Sequence, residues 1–211
     1  MLSKGQLDQG LPPGENKGVR GKLGTRDIVL VGLFTGLTCI VALILKWGGD
    51  ILVPFSLLPL MSLLAGAFLG GRLGAISMLV YVLMGLVGIP VFSKPPFGGP
   101  MYLLQPTFGF ILGFIAAAYL TGKIIEQGSA PSLARYGLAM FVGVMVIYLV
   151  GLPYMWVVVN FFLGKAMSAT AVIKVGFLPF ISLDLIKAGF GAVLAHMVTR
   201  RVGAMVRRPV G

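Results

Sequence analysis

The sequence is short of acid. Aspartate and glutamate together number 6 in 211 residues, against 17 lysines and arginines, and charged residues of both signs make up only 11%. A water-soluble domain carries roughly 25% charged residues, so this chain lacks the polar surface needed to coat a soluble globule. It holds one cysteine, Cys39, which can form no internal disulfide and leaves the redox compartment unreadable. With one histidine, His196, it can build neither an H-E-x-x-H helix nor a cysteine-rich metal cage, so no metal is expected. There is no G-x-x-x-x-G-K-[ST] phosphate loop and no G-x-S-x-G nucleophile turn. These absences exclude a P-loop nucleotide site and argue against an enzyme. No cofactor is expected.

What fills the chain instead is apolar. Hydrophobic residues reach 57% and the mean hydropathy is +0.98, values that exclude a disordered chain and indicate an integral membrane protein. A membrane span needs about 20 largely apolar residues. Six runs qualify, at about 28–46, 51–70, 73–91, 103–122, 137–163 and 177–198. Lipid cannot satisfy an exposed strand edge, and the runs are too long and continuously apolar for barrel strands. The expected fold is therefore an all-α bundle of six transmembrane helices over 28–198, with polar tails at 1–27 and 199–211. Pro54 and Pro59 in the second run and Pro153 in the fifth should kink or shorten their helices. No internal repeat is visible.

Orientation follows from the basic residues. With the tails in the cytoplasm, that side carries Lys4, Lys17, Arg20, Lys22, Arg26, Arg72, Lys123, Arg135, Arg200, Arg201, Arg207 and Arg208. The other side carries Lys46, Lys94, Lys165 and Lys174. The asymmetry predicts cytoplasmic termini. It also assigns the net charge of +11 to orientation and to anionic lipid headgroups of the bilayer rather than to nucleic acid.

Polar residues inside the runs are few enough to weigh one by one. Asp184 is the only acid within a run and away from its ends, and Lys187 follows three residues later, on the same helical face. An ionised group at mid-membrane costs at least about 2.5–3.5 kcal/mol, so such a pair faces a protein interior or a wet cavity. It can serve a ligand, or simply clamp the last helix to its neighbours. Asn160, Tyr148, Trp156, Tyr81 and Thr107 can bond a ligand or join two helices, the commoner use. His196, among arginines near the end of the last run, reads as interfacial. Gly32 and Gly36, like Gly66, Gly70 and Gly74 or Gly109 and Gly113, have the spacing that lets helices approach closely. On the first helix such a face can also receive a partner protein. The Pro- and Gly-rich segment from Pro90 to Pro106 is either a closing loop or a rigid connector.

The order of several motifs resembles the BioY family, the biotin-binding S components of energy-coupling factor (ECF) transporters. They are Gly66-Ala-Phe-Leu-Gly-Gly-Arg72-Leu-Gly74-Ala-Ile-Ser77, then Tyr81, Gly85, Gly88-Ile-Pro90-Val-Phe92 and Gln105-Pro106-Thr107-Phe-Gly109-Phe110. The last run adds Gly176-Phe-Leu-Pro179-Phe180 and Asp184-Leu-Ile-Lys187. The resemblance spans about residues 28–198. The chain departs from the family with Gln105 in place of a common Gly, and with Ser56-Leu57-Leu58-Pro59 in place of a common Thr-Leu-Gln. The resemblance implies six helices in a bacterial inner membrane. It implies a pocket near the outer surface, closed by loops at about 46–54 and 91–106. Asp184 would accept from the ureido N–H groups of biotin, Lys187 would donate to a ligand oxygen, and Phe92, Tyr102 and Trp156 would form apolar walls. The implied energy source is a partner assembly of a transmembrane coupling protein and ATPase subunits. The same architecture serving another vitamin, a lipid-modifying membrane enzyme, and a structural subunit are the competing readings.

Overall fold

The computed structural model describes residues 23–47, 56–127 and 132–206. All regular structure among them is helical: α1 (Thr25–Trp47), α2 (Leu58–Leu69), α3 (Gly71–Leu86), a 3-10 turn (Pro100–Leu104), α4 (Phe108–Glu126), α5 (Leu133–Val157), a π turn (Val158–Phe162), α6 (Ala169–Gly176) and α7 (Leu178–Val206). Four stretches are long and apolar enough to cross a membrane: Thr25–Trp47, Phe108–Glu126, Leu133–Phe162 and Leu178–Arg201.

Several boundaries differ from the hydropathy runs, each for a local reason. The first helix begins at Thr25, inside the stretch expected to be tail, with the Asp27 carboxylate accepting from the Gly24 N–H at 3.0 Å. The last continues to Val206, into the expected basic tail. Residues 1–22 and 207–211 of the expected tails, Pro54 of the second run, and most of the closing loop expected at about 46–54 lie outside the described residues. The runs at 51–70 and 73–91 hold helices of only 12 and 16 residues. Pro59 starts α2 rather than kinking it, because its missing N–H is no loss in a first turn. Gly70, at φ +82°, separates α2 from α3. Pro153 does not end α5, which gives way to the π turn only a few residues later. The connection after the fifth run contains a helix the hydropathy did not mark, α6, whose start is capped by the Ser168 hydroxyl accepting from the Ala171 N–H at 3.2 Å.

α4 lies at the centre, packed on α2, α3 and α5, while α7 covers α5 and α2, and α1 covers α3 and α2. Glycines allow the central approach. A Cβ on Gly66 would meet the backbone of Ala118, one on Gly122 the backbone of Gly70 and Gly71, and one on Gly113 the backbone of Ile147 at 2.9 Å. α1 is attached differently, by hydroxyls: Thr35 Oγ1 donates to the Ser77 carbonyl at 3.0 Å, and Ser77 Oγ to that of Val31 at 3.4 Å. The outside is apolar. Ile44, Leu149, Ile186 and Phe190 are 61% to 77% exposed, the reverse of a soluble protein and what a lipid surround requires.

Gly32 and Gly36 stand apart from the other spaced glycines, since a Cβ on either meets nothing within 4 Å. Gly32→Ala should therefore leave thermal stability in detergent unchanged or raise it by up to about 1 kcal/mol. Gly66→Ala and Gly122→Ala should each lower it by about 1–3 kcal/mol through overpacking. Thermal unfolding of the three variants separates these outcomes, and equal behaviour of all three would contradict the packing described.

Candidate functional site

The first turns of α7 carry Phe180, Asp184 and Lys187 toward α5 and the start of α2. Asp184 is buried at 8% exposure, and both carboxylate oxygens are engaged. Lys187 Nζ stands 2.6 Å from Oδ1, and Tyr148 Oη donates to Oδ2 at 2.6 Å. Lys187 Nζ also donates to the Ser56 carbonyl, at 2.6 Å. One charged couple thus ties α7 to α5 and to the chain entering α2. Tyr148 is held for this by edge-on contacts with Phe110 and Phe177, ring centroids 5.9 and 4.9 Å away. Two buried charges of this kind are tolerated because each is paired and further hydrogen-bonded.

Asp184 opens onto a cavity of about 540 Å³, within the usual size range of small-molecule sites. Its walls are Ser56, Leu58 and Pro59 from α2 and the chain before it, Phe110, Ile111 and Phe114 from α4, and Ile147, Tyr148 and Met155 from α5. Val175, Gly176, Phe180 and Asp184 come from α6 and α7. The remaining wall is Leu45 and Lys46 at the end of α1, with Ser93, Lys94, Pro95, Phe97, Tyr102 and Thr107 from the segment between α3 and α4.

That segment is ordered by its own bonds. The Phe92 N–H donates to the Phe97 carbonyl at 2.9 Å, the Phe97 N–H to that of Lys94 at 2.7 Å, and Gln105 Nε2 to that of Pro95 at 3.1 Å. The Gly99 N–H donates to the Gly85 carbonyl at 2.7 Å and fastens the segment to α3. Phe97 adopts φ +65°, unusual for a bulky residue, and its ring lies 4.1 Å below Lys46 Nζ in a cation–π contact. Burial pushes the Tyr102 phenol above its ordinary pKa, so it stays a neutral hydroxyl. Thr107 Oγ1 is buried beside the Tyr102 phenol.

Of the residues singled out in the sequence, Asp184, Tyr102 and Thr107 come together in this cavity, with Tyr148 beside them. Lys187 is joined to it through Asp184 and Ser56. Phe92 is fully buried behind the wall, its ring 4.2 Å from Tyr102 and 5.6 Å from Tyr81. Tyr81 pins the same segment by donating to the Val91 carbonyl at 3.2 Å. Trp156 and Asn160 lie apart from the cavity wall. Trp156 packs edge-on against Phe161. Asn160 closes the turn before α6, donating to the carbonyls of Trp156 at 2.9 Å and Met167 at 3.0 Å and accepting from the Met167 N–H at 2.9 Å. His196 makes an edge-on contact with Tyr136 on α5, away from the cavity. Sequence reasoning used Lys46 and Lys94 only to orient the chain. The signal that could have promoted Lys94 was its place among the prolines, glycines and phenylalanines of the Pro90 to Pro106 segment.

An apolar exterior around a cavity of small-molecule size, with an ionised couple in its wall, defines a multi-pass membrane protein. The chain belongs to the BioY family, whose model matches residues 15–204. It is 40% identical over 172 residues to the probable biotin transporter BioY of Lysinibacillus sphaericus, covering 82% of this chain and 86% of that protein. The biotin transporter BioY of Thermotoga maritima is 35% identical over 170 residues, covering 81% of this chain and 94% of its own. Among solved structures, the S-component for biotin from an ECF-type ABC transporter superposes with a TM-score of 0.63 at 21% identity, over 85% of this chain and 95% of that one. The family is one of transporters, not enzymes.

Removing Lys187 alone strands the Asp184 charge. Lys187→Met should cost about 3–5 kcal/mol, whereas the double variant Asp184→Asn with Lys187→Met should recover much of that loss. Thermal unfolding in detergent without ligand measures both, and equal destabilisation would show that the two charges do not depend on each other.

Proposed function

We propose that this protein is the substrate-binding component of an ECF-type importer and that it captures biotin from the outer side of a bacterial inner membrane. The observation that carries the reading is Asp184, a carboxylate held by Lys187 and Tyr148 at the edge of a mostly apolar cavity. Biotin complements that wall: a ureido group with two N–H donors, an apolar thioether ring and a carboxylate tail. Each Asp184 oxygen accepts one bond within the protein and keeps a second lone pair for a ureido N–H. Lys187, with two of its three protons engaged, keeps one for a ligand oxygen. The Thr107 hydroxyl and the Tyr102 ring complete the polar and apolar contacts. The biotin transporters of Lysinibacillus sphaericus and Thermotoga maritima, and the shared fold of a biotin S-component, support the same ligand.

The membrane arrangement we propose has six crossings and both termini in the cytoplasm. At 1.5 Å per residue, α2 and α3 are about 18 and 24 Å long, short of a hydrocarbon core of about 30 Å. On the outer side the segment after α3 would make up the remaining depth of α3. Energy would come from ATPase subunits through a transmembrane coupling protein, and the bare Gly32–Gly36 face of α1 is where that protein would dock.

Labelled biotin should bind the full chain purified in detergent, with neither thiamine nor riboflavin competing. Displacement by either vitamin would reassign the ligand. Asp184→Asn should weaken biotin binding roughly ten- to hundredfold, the worth of one charge-assisted hydrogen bond, and unchanged affinity would remove Asp184 from the site. In proteoliposomes holding the coupling protein and ATPases, Gly32→Leu or Gly36→Leu should reduce uptake while leaving biotin binding intact. Loss of binding as well would point to a folding defect instead.

A further inference from the structure

The wall contributed by α7 and the wall contributed by α1 and the segment after α3 differ in charge. On the α7 wall the ions cancel: Asp184 is matched by Lys187, and Lys187 also spends a proton on the Ser56 carbonyl. That wall presents the open side of a carboxylate, which repels a second one. On the wall made by the end of α1 and the segment between α3 and α4, Lys46 and Lys94 both line the cavity and are only half-buried. Among the described residues neither forms an ion pair with a carboxylate. Lys46 reaches the wall from the last turn of α1 and is steadied by the Phe97 ring 4.1 Å away. Lys94 belongs to the same turn as Phe97, its carbonyl accepting from the Phe97 N–H at 2.7 Å. The positive φ of Phe97 turns the chain back at this point, a conformation retained where surrounding contacts over-determine it. The Ser93 hydroxyl adds a neutral polar group to the same rim.

From this we infer that Lys46 and Lys94 form an anion subsite at the rim, which takes the carboxylate end of the ligand and so fixes its direction, ring toward Asp184 and tail toward the closing segment. This rests on the proposed biotin reading and adds to it a residue set and an orientation. A ligand placed the other way round would set its carboxylate against that of Asp184 and leave two ammonium groups without a counter-charge, a pairing that electrostatic complementarity disfavours.

The test pairs ligand and protein changes. Binding of biotin and of its neutral primary amide is measured on the full chain in detergent, for the unchanged protein and for Lys94→Ala, Lys46→Met and Lys94→Arg. The unchanged protein should prefer the acid by about tenfold, as expected when one charge-assisted contact is lost. Lys94→Ala and Lys46→Met should each lose about tenfold for biotin but less than twofold for the amide, and Lys94→Arg should keep the preference. Equal losses for both ligands, or no preference in the unchanged protein, would overturn the subsite. Raising the salt should narrow the acid–amide gap, which checks the unchanged protein without any substitution. A chain that binds neither compound overturns the biotin reading itself, while one that binds both equally overturns only the rim.

Discussion

A carboxylate held among apolar helices is the constraint around which this protein is organised. Asp184 lies in a low-dielectric interior where an unpaired charge would be expensive, and three parts of the chain converge to prevent that. Lys187 comes from the same helix one turn on, Tyr148 from α5, and the Ser56 carbonyl from the chain entering α2, which holds Lys187 in turn. A change that moved any of these elements would disturb all of them. The couple is therefore both a fastening between helices and the polar end of the cavity, and the two roles impose the same geometry.

Rigidity elsewhere follows from the absence of side chains. Gly66, Gly113 and Gly122 bring the backbones around α4 close enough that a single Cβ would collide with main-chain atoms. With van der Waals packing as the main adhesive between apolar helices in lipid, this fixes α2, α3, α4 and α5 as one block. The segment between α3 and α4 is attached to that block by the Gly99-to-Gly85 bond and by the Tyr81 hydroxyl. Phe92 fills the space behind it, packed on Tyr81 and Tyr102. The aromatic layer supports the cavity wall while standing outside it.

Much of this was readable from residue types alone. The scarcity of acid made Asp184 conspicuous, and its spacing to Lys187 placed both on one face. The order of glycines, prolines and aromatics from Gly66 to Phe110 carried the family. Other features needed three dimensions. Hydropathy does not distinguish a helix from an apolar turn, so α3 ends at Leu86 although its run continues to Val91. Pro59, read as a kink, is a helix start, because position within the first turn reverses its meaning. Trp156 and Asn160 sit on the fifth run, but Asn160 spends both amide protons and an acceptor site on the turn before α6. Lys46 and Lys94 are far apart along the chain, and only folding brings them to one cavity.

α1 bears two features at once: Lys46 at the rim and the uncovered Gly32–Gly36 patch on its outer side. Ten residues separate Lys46 from Gly36, about 15 Å along a helix, and each residue advances the azimuth by about 100°. A rigid rod cannot turn at one end only. Any roll of α1 large enough to present the glycines differently to a neighbour also swings the ammonium away from Phe97, so the mouth of the cavity and the outer flank of the molecule are geared together through a single axle.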